Sequence, residues 1–93
     1  MLADAEIDRR LAELGDWERG SAGDAIVREL TLADFAAAIA FVDLVAAAAE
    51  RANHHPDILV HGWNKVRLTL STHSAGGLTD ADFRLAAQLD GLL

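Results

Sequence analysis

The sequence predicts an α+β fold: a four-stranded antiparallel sheet with helices packed on one face. Three observations predict it. Helical and strand periodicities follow one another in the order helix, two strands, helix, two strands, helix, which suits a sheet covered on one side. Residues 64–72 alternate cleanly, with Val66, Leu68 and Leu70 on one side and Lys65, Arg67, Thr69 and Ser71 on the other. Between Thr31 and Asn53 neither glycine nor proline interrupts a long apolar segment, so one long helix is expected there.

The elements follow in order. Ile7, Leu11 and Leu14 recur at helical spacing from Asp4, and Gly15 offers a stop. Trp17 to Arg19, the turn Gly20 to Asp24, and Ala25 to Leu30 read as strand, turn, strand, with Ile26 and Leu30 directed to one side. Thr31 is the expected N-cap of the long helix, with Asp34 at its third position. Phe35, Ile39, Val42 and Ala46 mark the face to be covered, widened by Phe41, Leu44 and Val45. Pro56 disfavours helix in the residue before it, so this helix ends near Arg51 to Asn53. Asp57 to His61 is a short strand, Gly62 a turn, and 64–72 the return strand. Thr79 with Asp82 forms an acidic variant of the capping box and opens a last helix through Phe83, Leu85, Ala86, Leu89 and Leu92.

Composition bounds the function. At 93 residues, 52% hydrophobic and 25% charged, the chain is expected to form one folded domain, residues 1–93, small enough that oligomerisation would help its stability. Eight basic against fifteen acidic residues give a net charge of −7 with no basic face, which argues against nucleic-acid binding. The absence of cysteine removes disulfides, thiolate metal sites and cysteine nucleophiles. The first seventeen residues mix acids and arginines, unlike a signal peptide, and the apolar run 35–49 is short of the ~20 residues of a membrane span. A soluble, cytoplasmic protein without membrane contact is expected.

The chemistry concentrates at Asn53-His54-His55-Pro56, where the long helix exits, and at His73 downstream. An imidazole titrates near pH ~6.5 and exchanges protons under cellular conditions. A hairpin turning at Gly62 places residues whose numbers sum to about 124 opposite one another, within about two residues, which returns His73 toward the exit carrying His54 and His55. Glu50, one helical turn before His54, is on the same side. Three imidazoles around one hollow would make an acid–base site.

Plainer readings exist for each residue. His61 beside the turn reads as a solvated polar residue. Helix termination alone explains polar residues at 54 and 55, and capping alone explains Asp82. Trp17 and Trp63 read as sheet or rim aromatics able to stack on a flat ring. Zinc is the chemical rival, yet adjacent histidines in an extended segment point to opposite sides and no HExxH spacing is present. Ser71 and Ser74 lie near histidines, but without a glycine-flanked nucleophile elbow.

The segments Glu50-Arg51-Ala52-Asn53-His54-His55-Pro56, Trp63-Asn64-Lys65-Val66, Leu70-Ser71-Thr72-His73 and Gly77-Leu78-Thr79-Asp80-Ala81-Asp82 together resemble the pterin-4a-carbinolamine dehydratase family, from about Trp17 to the C-terminus. The resemblance implies dehydration of 4a-hydroxytetrahydropterin to quinonoid dihydropterin, a recycling step linked to aromatic amino-acid hydroxylases. It implies no metal and no cofactor besides the pterin substrate, and a homodimer or homotetramer. By position it makes His54, His55 and His73 catalytic. Glu50 falls where the family supports the histidines, and Asn53, Ser71, Thr72 and Ser74 where it contacts substrate; Asp82, besides its capping role, is a further candidate for substrate binding. The sequence departs from animal relatives at Asn53, where they commonly have aspartate, and at Ile58, where they place an aromatic. One extra residue lies between Pro56 and Trp63. A non-catalytic dimeric interaction module using the alanine-rich helix, or a dehydratase for another reduced pterin, are the alternatives.

Overall fold

The computed structural model describes residues 1–93. Its elements are α1 (Asp4–Leu14), β1 (Glu18–Arg19), β2 (Ile26–Thr31), α2 (Phe35–Ala52), β3 (Asp57–His61), β4 (Lys65–Leu70) and α3 (Asp80–Asp90), with a 3-10 turn at His73–Ala75 before α3. The expected element order and sheet are present. The four strands are antiparallel in the order β1-β2-β4-β3, so the two hairpins join through β2 and β4 at the centre.

Register follows from the alternation. Ile26 lies opposite Leu70 and Leu30 opposite Val66, and all four are buried together with Leu68. A one-residue slip would turn these side chains to solvent, so the buried face fixes the pairing. The reverse face carries Glu29 opposite Arg67 and Thr31 opposite Lys65. In the second hairpin Asp57 faces Thr69 and Ile58 faces Leu68. The partners sum to 126 rather than 124, because the turn spans Gly62 to Asn64 with Trp63 at φ 61°. Strand β4 ends at Leu70, earlier than expected, and His73 lies in the 3-10 turn rather than on the strand.

Two expectations for α2 are corrected. Its N-cap is Asp34, whose side chain accepts the Ala37 N–H at 2.7 Å. Thr31 is still in β2, held there by pairing with Lys65. The covered stripe is Ala38, Phe41, Val45, Ala48 and Ala49, whereas Phe35 is 54% and Ile39 38% exposed. Ala46 is exposed as well. The helix is apolar nearly all round, so periodicity did not select its inner face. Against that stripe pack Leu78, Phe83, Leu85, Ala86 and Leu89, with Ile7 of α1 and Trp17 completing one cluster of 16 residues. Trp17 is thus core, and its indole N–H donates to Asp90 at 2.9 Å. No helix is long and apolar enough to cross a membrane.

Candidate active site

Asn53 ends α2 in the left-handed conformation, φ 50° and ψ 41°, a region asparagine tolerates better than most residues. The chain reverses there, and the His54 N–H returns to the Ala49 carbonyl at 3.2 Å. His54 is thereby directed at the first turn of α3. Its Nε2 lies 2.6 Å from Oδ1 of Asp82.

Asp82 is the hub of this end of the molecule and is wholly buried. As the third residue of α3 it closes the capping box, accepting the Thr79 N–H on Oδ2 at 2.9 Å. The same oxygen accepts the Thr72 hydroxyl at 2.8 Å. Thr72 spends its only proton there, so the 2.8 Å contact between the Thr72 and Thr79 hydroxyls has Thr79 as donor. With Asp82 as a carboxylate, which only accepts, Nε2 of His54 would donate its hydrogen to Oδ1 and leave Nδ1 for other work. A run of defined donors thus connects Thr79 to Thr72, Thr72 to Asp82, and His54 to Asp82. A carboxylate taking three donors satisfies the demand that a buried charge be fully hydrogen-bonded.

Thr72 is pinned as well. Its backbone pairs with Gly77, the Thr72 N–H reaching the Gly77 carbonyl at 3.0 Å. Gly76, at φ 70°, closes the 3-10 turn between them. Through Thr72 and Asp82 the segment that carries His73 is therefore two side-chain hydrogen bonds from His54.

The remaining expected residues sit further out. Nε2 of His55 pairs with Glu50, and both side chains are more than half exposed. His73, Ser74 and Asn53 are exposed and Ser71 is half-buried, all without side-chain hydrogen bonds to the protein other than the cap made by the Asn53 backbone. No hydrogen bond joins any two of the three histidines. A hollow of about 150 Å³ is lined by His54 with Ala52, Ala81, Arg84, Leu85 and Gln88, and neither His55 nor His73 lines it. The expected common hollow is thus represented by His54 alone. Asp82, expected at the substrate, is enclosed, so it reaches a ligand only through His54. No group of three or more histidine or acidic side chains is placed to hold a metal ion. His61, read as solvated, pairs with Glu29 on the open face of the sheet.

Sequence reasoning missed Thr79 as part of the network and missed the α3 residues beside His54. Their signal was present: Ala81, Arg84, Leu85 and Gln88 follow the i, i+3, i+4, i+7 spacing of one helix face.

Fold and site together define a small α+β protein whose sheet end and two helix termini present a histidine on a buried carboxylate. The pterin 4 alpha carbinolamine dehydratase family profile matches residues 1–92, so the chain belongs to that family, over a longer stretch than the motifs alone indicated. A Nocardia farcinica protein provisionally named pterin-4-alpha-carbinolamine dehydratase is 54% identical over 99% of this chain and 94% of its own. A Roseiflexus castenholzii protein of the same name is 53% identical over 100% and 97%. The crystal structure of a transcriptional coactivator/pterin dehydratase from Brucella melitensis superimposes with a TM-score of 0.91 at 32% identity, covering 98% of this chain and 96% of that one. A pterin dehydratase-like protein identified as a RuBisCO assembly factor in the alpha-carboxysome gives 0.69 at 26% identity, covering 83% and 88%.

Proposed function

We propose that this chain dehydrates a 4a-hydroxytetrahydropterin to the quinonoid dihydropterin, with His54 as the principal acid. The observation that carries the reading is the His54–Asp82 pair. In the reaction the C4a–O bond breaks, the hydroxyl leaves as water after taking a proton, and a ring N–H gives up its proton as the new C=N bond forms. Asp82 holds the ring of His54 in one tautomer and one orientation, so the proton on Nδ1 of the imidazolium is the one available to the leaving hydroxyl. General acid catalysis of this kind contributes ~10²–10⁴-fold.

His73 serves as base or substrate anchor in this reading. Its ring is exposed, and Thr72 beside it is hydrogen-bonded to Asp82. His55 has an orienting role through Glu50, and Asn53, Ser71 and Ser74 are the substrate contacts that the family resemblance implies. The test is the dehydration rate of freshly generated 4a-hydroxytetrahydrobiopterin. His54→Ala should lower kcat by at least about a hundredfold, and an unchanged rate ends the assignment.

A second reading, a partner-binding module, draws on one observation. Helix α2 leaves Phe35, Ile39 and Leu44 exposed beside a face already packed on the core. Exposed apolar side chains flanking the packed face on both sides are expected to meet a protein surface, most simply a second copy of the chain. The homo-oligomer and the dehydratase are compatible. A titration separates the module from the enzyme, since a module alone binds no pterin saturably.

A further inference from the structure

Arg84 occupies an unusual position on α3. It lines the hollow beside His54, and it also lines a larger cavity of about 440 Å³ between α1 and α3, with Arg9, Arg10, Glu13, Leu14, Phe83 and Ala87. No other residue lines both. The apolar part of the larger cavity's lining is Leu14, Phe83 and Ala87. Its other arginines are already compensated: Arg9 by Glu6 and Glu13, Arg10 by Glu6 and Asp80. Arg10 also lies over the Phe83 ring, 5.6 Å from its centroid. Arg84 has no carboxylate partner in a chain that carries seven more negative than positive charges.

The two cavities differ in size. At about 150 Å³ the hollow at His54 falls below the ~300 Å³ at which small-molecule pockets typically begin, so it does not enclose a substituted bicyclic ring. The cavity across Arg84 falls inside the usual range. A ligand whose reacting ring lies at His54 and whose substituent passes Arg84 would fill both.

Resting on the dehydratase reading above, we propose that the preferred substrate is a reduced pterin whose side chain carries an aromatic spacer ending in carboxylate. The spacer lies on Leu14, Phe83 and Ala87, and the carboxylate pairs with the Arg84 guanidinium, whose planar fork suits it. A neutral, short hydroxylated side chain leaves the larger cavity empty and Arg84 unpaired.

The experiment compares kcat/KM for three freshly generated 4a-carbinolamines on the intact protein. Their side chains are dihydroxypropyl, p-aminobenzoylglutamate, and a short phosphate ester. The aromatic carboxylate should exceed the neutral side chain by about fivefold to tenfold, chiefly through KM, the range expected of one exposed charge-assisted pair plus apolar contact. Arg84→Gln should bring that ratio to about one, and Arg84→Lys should restore part of it. Ala87→Trp, which fills only the larger cavity, should also abolish the preference. A ratio unchanged in Arg84→Gln or in Ala87→Trp overturns the proposal, and so does a larger gain for the phosphate ester than for the aromatic carboxylate. If no carbinolamine is turned over, or His54→Ala is silent, the dehydratase reading itself has failed. His54-dependent turnover with no response to Arg84 refutes the side-chain assignment alone.

Discussion

Nε2 of His54 meets Oδ1 of Asp82 at 2.6 Å, and the aspartate has no exposed surface. The side chain that caps α3 is therefore also the one that orients the candidate acid. Asp82→Asn separates these two roles. Its amide oxygen can still accept the Thr79 N–H, but the amide NH₂ then faces His54 and demands a lone pair on Nε2, which moves the imidazole hydrogen to Nδ1. We expect kcat for pterin dehydration to fall about a hundredfold or more while the thermal midpoint moves only slightly. Loss of stability in proportion to activity would make Asp82 a cap and nothing else.

Thr72→Val tests the far side of the same network. It keeps the shape of the side chain but removes the donor to Asp82 and the acceptor for Thr79. Urea denaturation should show a loss of about 1–3 kcal/mol, the cost of leaving buried polar groups with a partner removed. Thr72→Ser keeps the hydroxyl and should lose less than Thr72→Val.

How far these relationships were legible depended on what competed with the local signal. Strand β4 was readable because burial of Val66, Leu68 and Leu70 on one face leaves a strict alternation. Thr31 was misread as a cap because Thr31 and Asp34 are both good capping residues; its pairing with Lys65, a contact across the sheet, decides between them. The inner face of α2 was not readable, since alanines and large apolar residues surround the helix and only packing chooses among them. The partner of Asp82 was hidden for the opposite reason. The aspartate's local role in the capping box accounts for it completely, so nothing in the sequence announced His54, 28 positions away. The gathering of histidines was legible only in part, because hairpin register brings segments together without directing their rings.

Asn53 carries two candidate roles that substitution can divide. It is the left-handed terminus of α2 and also a position expected near substrate. Asn53→Ala places a Cβ-bearing residue with no polar compensation at φ 50° and should cost roughly 1 kcal/mol in chemical denaturation. Asn53→Gly adopts the same conformation freely and should match or exceed the natural protein in stability. If the amide contacts the pterin, both variants raise KM alike. If Asn53 is only a terminus, KM follows stability and the glycine variant is unaffected.

Leu68 reports on the sheet that carries the site. It is 1% exposed at the centre of β4, beneath the helices. Leu68→Ala should destabilise the fold by about 2–5 kcal/mol, through lost burial and the cavity left behind. At temperatures well below its lowered midpoint, the variant should keep its KM for pterin, since Leu68 does not line the hollow at His54.

Glu29 supplies the pH-dependent contribution outside the site. Burial opposes its ionisation, but hydrogen bonds from Arg67 and His61 overcome that and hold its carboxyl below the ordinary glutamate value. The sign follows from linkage. A carboxyl more acidic in the folded state stabilises the fold at pH above its unfolded value, and that contribution is lost as pH falls through the folded one. Arg67→Gln removes the first of the two donors, so the Glu29 carboxyl resonance followed by NMR should titrate at higher pH than in the natural protein. Urea midpoints measured across the acidic range should then fall less steeply with decreasing pH in the variant, because less of its stability at neutral pH depends on Glu29 being charged. A Glu29 titration that does not move in Arg67→Gln would mean that His61 and the local backbone, not the arginine, set its acidity.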